Sequence, residues 1–253
     1  MSSDQVVLER MFQGVGEFYA RCAGASPGGR SVRLGGMRAA VMPALPFASI
    51  VNCVTYTDAA ELEERIDELA ELYEEAGVRA WSVWTHESDD RTRGMLREAG
   101  FGLDSEPMSM ALDLDSLEPG TRAIDWTGEP DTAELGAVVD ASYGFPTGTY
   151  TRGVPAIPPN VHAYLAQDDG RPAAVVMGSD LEGDCGIYLV GTIPEARGRG
   201  MSTALMRQAL SDAAGRGCTI STLQASEMGH PVYRRLGYRD LGHAELWERR
   251  AAT

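Results

Sequence analysis

The chain has 253 residues, 43% of them hydrophobic, with 37 acidic against 22 basic side chains and a formal net charge of −15 at pH 7. That length supports a sizeable core in one or two domains, and the acidic balance argues against nucleic acid as a partner, because phosphate neutralisation needs a basic surface. No stretch approaches the roughly 20 apolar residues that cross a bilayer, so no membrane partner is expected.

Every one of the 22 basic residues is an arginine. Lysine chemistry is therefore absent, and arginine suits bidentate phosphate contacts. The start, Met1-Ser2-Ser3-Asp4-Gln5, lacks the basic and apolar segments of a secretory leader. Cys22, Cys53, Cys185 and Cys218 are scattered without a CxxC pair, and His86, His162, His230 and His243 form no ligand spacing. The cysteines read as small buried hydrophobes in a reducing, cytoplasmic setting, and no metal is expected.

In chain order, Val54-Thr55-Tyr56 reads as a short strand and 58–76 as a helix. Thr57 or Asp58 caps that helix, and Leu62, Ile66, Leu69 and Tyr73 form its apolar stripe. Gly77, a strand over 78–85 and Leu96-Arg97-Glu98-Ala99-Gly100-Phe101 follow. The acidic, Pro- and Gly-bearing stretch Asp115–Thr121 marks a boundary. Beyond it come a strand at Ala123–Trp126 and a helix over 129–143 with Ala133, Leu135, Val138 and Val139 apolar. A Gly/Pro/Tyr-rich loop covers 144–160, and strands follow at 161–167, 172–180 and 185–192. Then come a helix over 201–216, a strand over 218–225, a short helix over 230–236 and a closing strand near 241–248. The helix 201–216 carries Ala204, Leu205, Ala209, Leu210 and Ala213 at helical spacing, with Gly215 and Gly217 at its stop.

The chemistry concentrates in Val190-Gly191-Thr192-Ile193-Pro194-Glu195-Ala196-Arg197-Gly198-Arg199-Gly200-Met201-Ser202-Thr203. A strand enters an Arg/Gly turn that opens directly into a helix. That order gathers free backbone N–H groups, a helix N-terminus and two guanidinium groups at one point, which suits a phosphate or pyrophosphate. This segment resembles the acyl-CoA site of the GNAT superfamily of N-acyltransferases, whose pattern is Gln/Arg-x-x-Gly-x-Gly/Ala. Arg197, Gly200 and Ser202 occupy its defined positions, Ser202 departing from the usual Gly/Ala. A helix and a strand later, Tyr233-Arg234-Arg235-Leu236-Gly237-Tyr238 resembles the family's Tyr-x-x-x-Gly-Phe/Tyr signature.

The resemblance implies an α+β fold of two GNAT-like mixed-sheet domains in tandem. Residues 1–117 form a degenerate N-terminal copy, and 120–253 form the catalytic domain with the acyl-CoA site. The first copy has Asp58-Ala59-Ala60-Glu61 where the second has its Arg/Gly turn, and Leu96 where the second has Tyr233. It keeps the scaffold without the anion cradle or the acid. In the second copy the resemblance assigns Val190, Gly191 and Thr192 to the pantetheine arm, with Gly191 at the strand bulge. Arg197, Gly198, Arg199, Gly200, Met201, Ser202 and Thr203 go to the pyrophosphate, and Tyr233 becomes the general acid. Gln224 either bonds the cofactor amide or faces solvent. The family's strand glutamate is Gly186 here, so Asp184 and Glu227 remain as candidates for a base. Tyr188 shares a strand face with Val190 and lines the acceptor slot. Tyr143, Phe145 and Tyr150 either frame an acceptor or pack their loop.

The implied activity is acetyl-CoA-dependent N-acetyl transfer, or transfer from another acyl-CoA. It goes directly to a small-molecule amine or amino-terminal acceptor, to which an acidic surface is suited if the amine is cationic. A non-catalytic acyl-CoA-binding or sensing protein is the alternative. Monomer and homodimer both stay open.

Overall fold

The computed structural model describes residues 3–120 and 122–251. Thr121, the last residue of the expected boundary, lies outside them, as do the first two and the last two residues of the expected domains' outer ends.

The chain forms two compact units. One holds the residues up to Ser109 together with those from Leu241 onward; the other is Met110–Asp240. The first unit begins with α1 (Ser3–Ala25), which sequence reading left unassigned. Leu8, Met11, Val15, Phe18 and Cys22 recur three or four residues apart and are all buried. A tight hairpin follows, β1 (Arg30–Leu34) and β2 (Met37–Val41), turning at Gly35-Gly36. Next come β3 (Cys53–Thr55), α2 (Ala59–Glu75), β4 (Ala80–His86), α3 (Asp90–Glu98) and β5 (Gly102–Ser105). Asp58 caps α2, and Leu62, Ile66, Leu69 and Tyr73 are its buried stripe, as the periodicity predicts. Each such side chain contributes about 1.5–3 kcal/mol of burial. Tyr73 stacks on Trp81 at 4.7 Å, and Trp81 meets Phe101 edge-on at 4.9 Å.

The second unit contains most of β6 (Met108–Asp113), then β7 (Asp125–Thr127), α4 (Thr132–Tyr143), α5 (Thr149–Gly153), β8 (Val161–Asp168), β9 (Arg171–Leu181) and β10 (Asp184–Thr192). It ends with α6 (Met201–Gly215), β11 (Ile220–Ala225) and α7 (His230–Leu236). The short α5 lies inside the stretch read as a loop. The strand order is β6-β11-β10-β9-β8-β7, antiparallel from β7 to β10 and parallel between β10 and β11. The first unit repeats this plan. β1, β2 and β3 are antiparallel, and β3 runs parallel to β4 across the helix α2.

The closing strand departs from expectation. β12 (Arg239–Arg250) pairs antiparallel with β4 in the first unit, from Ala244↔His86 to Arg250↔Ala80. Its Trp247 sits in the first unit's core. Glu245 is 1% exposed and accepts from Arg93 Nε at 3.0 Å and from Trp247 Nε1 at 2.7 Å. The strand therefore completes the unit that opens the chain rather than the one it follows. The four cysteines are free and buried, as expected, and burial pushes the Cys22 thiol up to about 12.

Candidate functional site

β10 and β11 are paired only at Asp184↔Ile220, Cys185↔Ser221 and Gly186↔Thr222. Beyond those pairs β10 is bulged. Tyr188 opposes Met177 and Gly191 opposes Val175, so two residues of β10 face one of β9. Leu189 takes the extra turn with φ 48°. A bulge bends its strand away from one neighbour, and here it opens a slot between β10 and β11. The bulge thus sits at Leu189–Val190, not at Gly191 as the resemblance suggested. Gly191 is small for another reason. A Cβ there would lie 2.7 Å from the Cβ of Ser142, so its absence lets α4 approach the strand.

Below the slot the paired ends are locked by buried hydroxyls. Tyr238 Oη lies 2.7 Å from Ser221 Oγ, and Ser221 Oγ donates to the Cys185 carbonyl at 2.8 Å. Asp184 is 2% exposed, and its Oδ2 accepts from Thr222 Oγ1 at 2.8 Å. The ring of Tyr188 folds back over Gly186, where a Cβ would meet its hydroxyl at 2.5 Å. Tyr188 is buried by that fold, and it fills the space a glutamate would take. Glu227 lies exposed past the end of β11. Gln224 is half-buried on the part of β11 that has left β10.

At the top of β10 the chain passes through a short 3-10 turn (Pro194–Ala196) into Arg197–Gly200 and then α6. Gly198 and Gly200 have φ 74° and 72°, the left-handed region open to glycine. Among the described residues no side chain caps α6, and the N–H groups of its first turn lack intrahelical acceptors. The guanidinium groups are arranged differently from expectation. Arg197 donates to the Thr192 carbonyl at 3.2 Å and to the Ser142 carbonyl at 3.0 Å, bracing the end of β10 against α4. Arg199 pairs with Asp168 of β8. Arg122, which sequence reading passed over, donates to the Arg199 carbonyl and reaches beside Gly200. Its only sequence signal is one arginine at the end of an acidic linker. Among the described residues the buried Thr192 hydroxyl has no hydrogen-bond partner. This combination fits a pyrophosphate: an uncapped helix start, two left-handed glycines and an orphaned hydroxyl.

Tyr233 stands on α7, half-buried, its ring meeting Tyr238 edge-on at 6.0 Å. Burial, with the nearby Tyr143 phenol adding to it, raises its pKa above the ordinary phenol value. It therefore keeps its proton across the neutral range. Tyr143, at the end of α4, donates its hydroxyl to the Val190 carbonyl at 3.1 Å and stacks on exposed Phe145 at 5.8 Å. Tyr150 is not part of that pair. It is buried, with its hydroxyl on Met177 Sδ. Asp140, buried as well, accepts from the backbone N–H groups of Gly148, Thr149 and Tyr150 and holds the loop in shape.

Among the described residues no group of three or more His, Cys, Asp or Glu side chains is placed to hold a metal, and no helix is long and apolar enough to cross a membrane.

Residues 173–240, within the second unit, match the family described as Acetyltransferase (GNAT) domain. No curated protein matches the chain. Among solved structures, the fold is similar to that of a GCN5-related N-acetyltransferase from Kribbella flavida. That protein is 19% identical over 100% of this chain and 97% of the other, with a TM-score of 0.71. A GCN5-related N-acetyltransferase from Sphaerobacter thermophilus is 18% identical over 86% and 78%, with a TM-score of 0.60. A tandem GNAT protein from the clavulanic acid biosynthesis pathway is 15% identical over 95% and 96%, with a TM-score of 0.61. At these identities the likeness establishes the fold: two GNAT-like mixed-sheet units in tandem.

Proposed function

We propose that this GNAT-family acyltransferase moves the acetyl group of acetyl-CoA directly onto the amine of a small molecule or an amino terminus. The observation that carries the reading is the bulged β10 running straight into the uncapped start of α6. Val190, Gly191 and Thr192 would offer their backbone to the pantetheine arm. Gly198 through Thr203 would offer backbone N–H groups to the pyrophosphate. Arg197 would act mainly by bracing the strand, while Arg122 and Arg199 add positive charge at the mouth. Gln224 would bond an amide of the cofactor.

Acetyl-CoA supplies a thioester carbonyl. The amine nitrogen attacks its carbon, the N–C bond forms and the C–S bond breaks. Tyr233, protonated at neutral pH, delivers its proton to the departing sulfur. The amine's own proton leaves to water, because Asp184 is buried against Thr222 and Glu227 lies exposed beyond the strand. The acceptor must therefore arrive with part of its amine already neutral. The stacked Tyr143–Phe145 pair flanks the slot and would contact the acceptor's apolar part.

A second reading, acyl-CoA binding without transfer, is favoured by one feature: Gly186 and the folded-back Tyr188 leave β10 without a carboxylate facing the slot. Calorimetric titration with acetyl-CoA, beside a thiol-release assay over a panel of amines, separates the two. Binding with release supports transfer. Binding without release on any amine supports the second reading. Absence of binding overturns both.

A further inference from the structure

The first unit holds a cavity of about 310 Å³ between α1 and the ends of β3 and β4. The parallel pairing of those strands runs through Cys53↔Ser82 and Val54↔Val83, and Tyr56 and Thr85 lie just past the last pair. The cavity is thus the counterpart, in this unit, of the slot between β10 and β11. At that volume it sits at the small end of ligand pockets.

Its walls are polar and carry negative charge. α1 presents Gln5, Glu9 and Gln13 four residues apart, hence on one face, and Gln5 Nε2 donates to Glu9 Oε1 at 3.0 Å. Opposite, the Tyr56 hydroxyl donates to Asp89 Oδ2 at 2.7 Å and lies 2.6 Å from Thr85 Oγ1. Trp84 is 4% exposed and adds an aromatic wall, its indole N–H lying against the Cys53 sulfur.

Glu9 and Asp89 are the carboxylates among the lining residues, and no arginine lines the cavity. Asp89 is partly buried, which raises its pKa, but hydrogen bonds from Thr92 and Tyr56 outweigh burial and hold it below the usual carboxylate value. His86 joins this network through both ring nitrogens: Nε2 lies 3.1 Å from the Leu241 carbonyl oxygen, and Nδ1 accepts from the Ser88 N–H at 3.3 Å and lies 2.8 Å from the Ser88 hydroxyl. A pyrophosphate has no seat beside this cavity. At the start of α2 Asp58 already accepts from the N–H groups of Ala60 and Glu61, and the Glu61 carboxylate beside it accepts from the Gly36 N–H of the β1–β2 turn.

We infer that this cavity binds a small hydroxylated amine, its ammonium on Glu9 and its hydroxyls on the Tyr56–Thr85 floor, and that it does not bind acyl-CoA. The inference goes beyond the transfer reaction proposed for the second unit and does not depend on it.

The test is a titration of the full chain at pH 7 with glucamine, followed by tryptophan emission and by heat, with sorbitol as the neutral control that has a hydroxyl in place of the amine. Glucamine is expected to give a saturable signal and sorbitol none at the same concentrations. Glu9→Gln, an exposed change that leaves the fold intact, is expected to weaken glucamine about tenfold, as loss of one charge-assisted contact should, and to leave acetyl-CoA binding unchanged. Trp84→Phe should remove the emission change while the heat signal remains. No saturable glucamine binding, equal binding of sorbitol, or glucamine binding indifferent to Glu9→Gln would each overturn the inference, the last by placing the amine elsewhere. Failure of the unaltered chain to bind acetyl-CoA would instead bring down the proposed function alone.

Discussion

The starts of α2 and α6 occupy the same place in the two units, each at the head of a helix that joins two parallel strands, and they are finished in opposite ways. At α2 the chain's own Asp58 takes the N–H groups of Ala60 and Glu61, and the Glu61 carboxylate, held by the Gly36 N–H of the β1–β2 turn, adds a second negative charge. At α6 no described side chain caps the helix, two glycines precede it in left-handed conformation, and arginines surround it. One helix start is capped by the chain itself and the other is left without a side-chain cap, open to an anion. The proposed function places the pyrophosphate at the second and not at the first.

The most direct way to break this contrast is to give α6 the cap that α2 has. Gly200→Asp places a carboxylate where Asp58 stands in the first unit. Acetyl-CoA affinity should fall on the order of a hundredfold through like-charge repulsion and occupation of the N–H groups. Calorimetry reads that loss, and Gly200→Ala, which carries the backbone strain without the charge, should lose much less. Next in size is Tyr233→Phe. Turnover should fall about tenfold to a hundredfold with acetyl-CoA binding within about twofold, the split expected of a proton donor. Equal loss of binding and turnover would reassign the residue to packing.

The pH profile sharpens the same point. With Tyr233 held above the ordinary phenol pKa by burial, its proton is retained as pH rises. With no base facing the slot, the rate should climb through the acceptor amine's own pKa and then level. A fall between about pH 8 and 10, still near the ordinary phenol pKa, would contradict this assignment. Asp168→Asn should release Arg199 from its ion pair and tighten acetyl-CoA binding by about twofold to threefold, the modest scale of an exposed pair. Smallest at the cofactor is Asp58→Ala in the first unit. It should cost about 1 kcal/mol of stability in denaturant unfolding, as loss of a helix cap does, and leave acetyl-CoA affinity unmoved.

Sequence reading located elements wherever one periodic signal coincided with a strong stop. α2 appeared because Asp58 precedes a clean Leu62-Ile66-Leu69-Tyr73 stripe. α7 appeared because Gly229-His230-Pro231 opens it and Gly237 closes it. α1 has an equally regular stripe, stopped by Pro27-Gly28-Gly29, and carries none of the motif residues on which the resemblance rests. The resemblance implied a bulge in β10 but not its place. Leu189 has no sequence propensity for positive φ, and only the mismatch of β9 and β10 forces it there. In the site, the arginines could be named but not their partners, since Arg199 meets Asp168 and Arg197 meets Ser142 across long stretches of chain. The folding back of Tyr188 over Gly186 was equally hidden, because it depends on rotamer rather than on spacing.

The placement of β12 reverses the order in which the units mature during synthesis. Every strand of the second unit has left the ribosome before residues 241–250 emerge, yet β4 of the first unit waits for those residues to cover its edge. Until then Trp81, Val83 and Trp84 sit on an open strand edge, a feature that invites mispairing with other chains. Released chains truncated after Asp240 should therefore show protease cuts in the first-made unit and protection in the second. Intact protection of both would mean that β4 is shielded by other means.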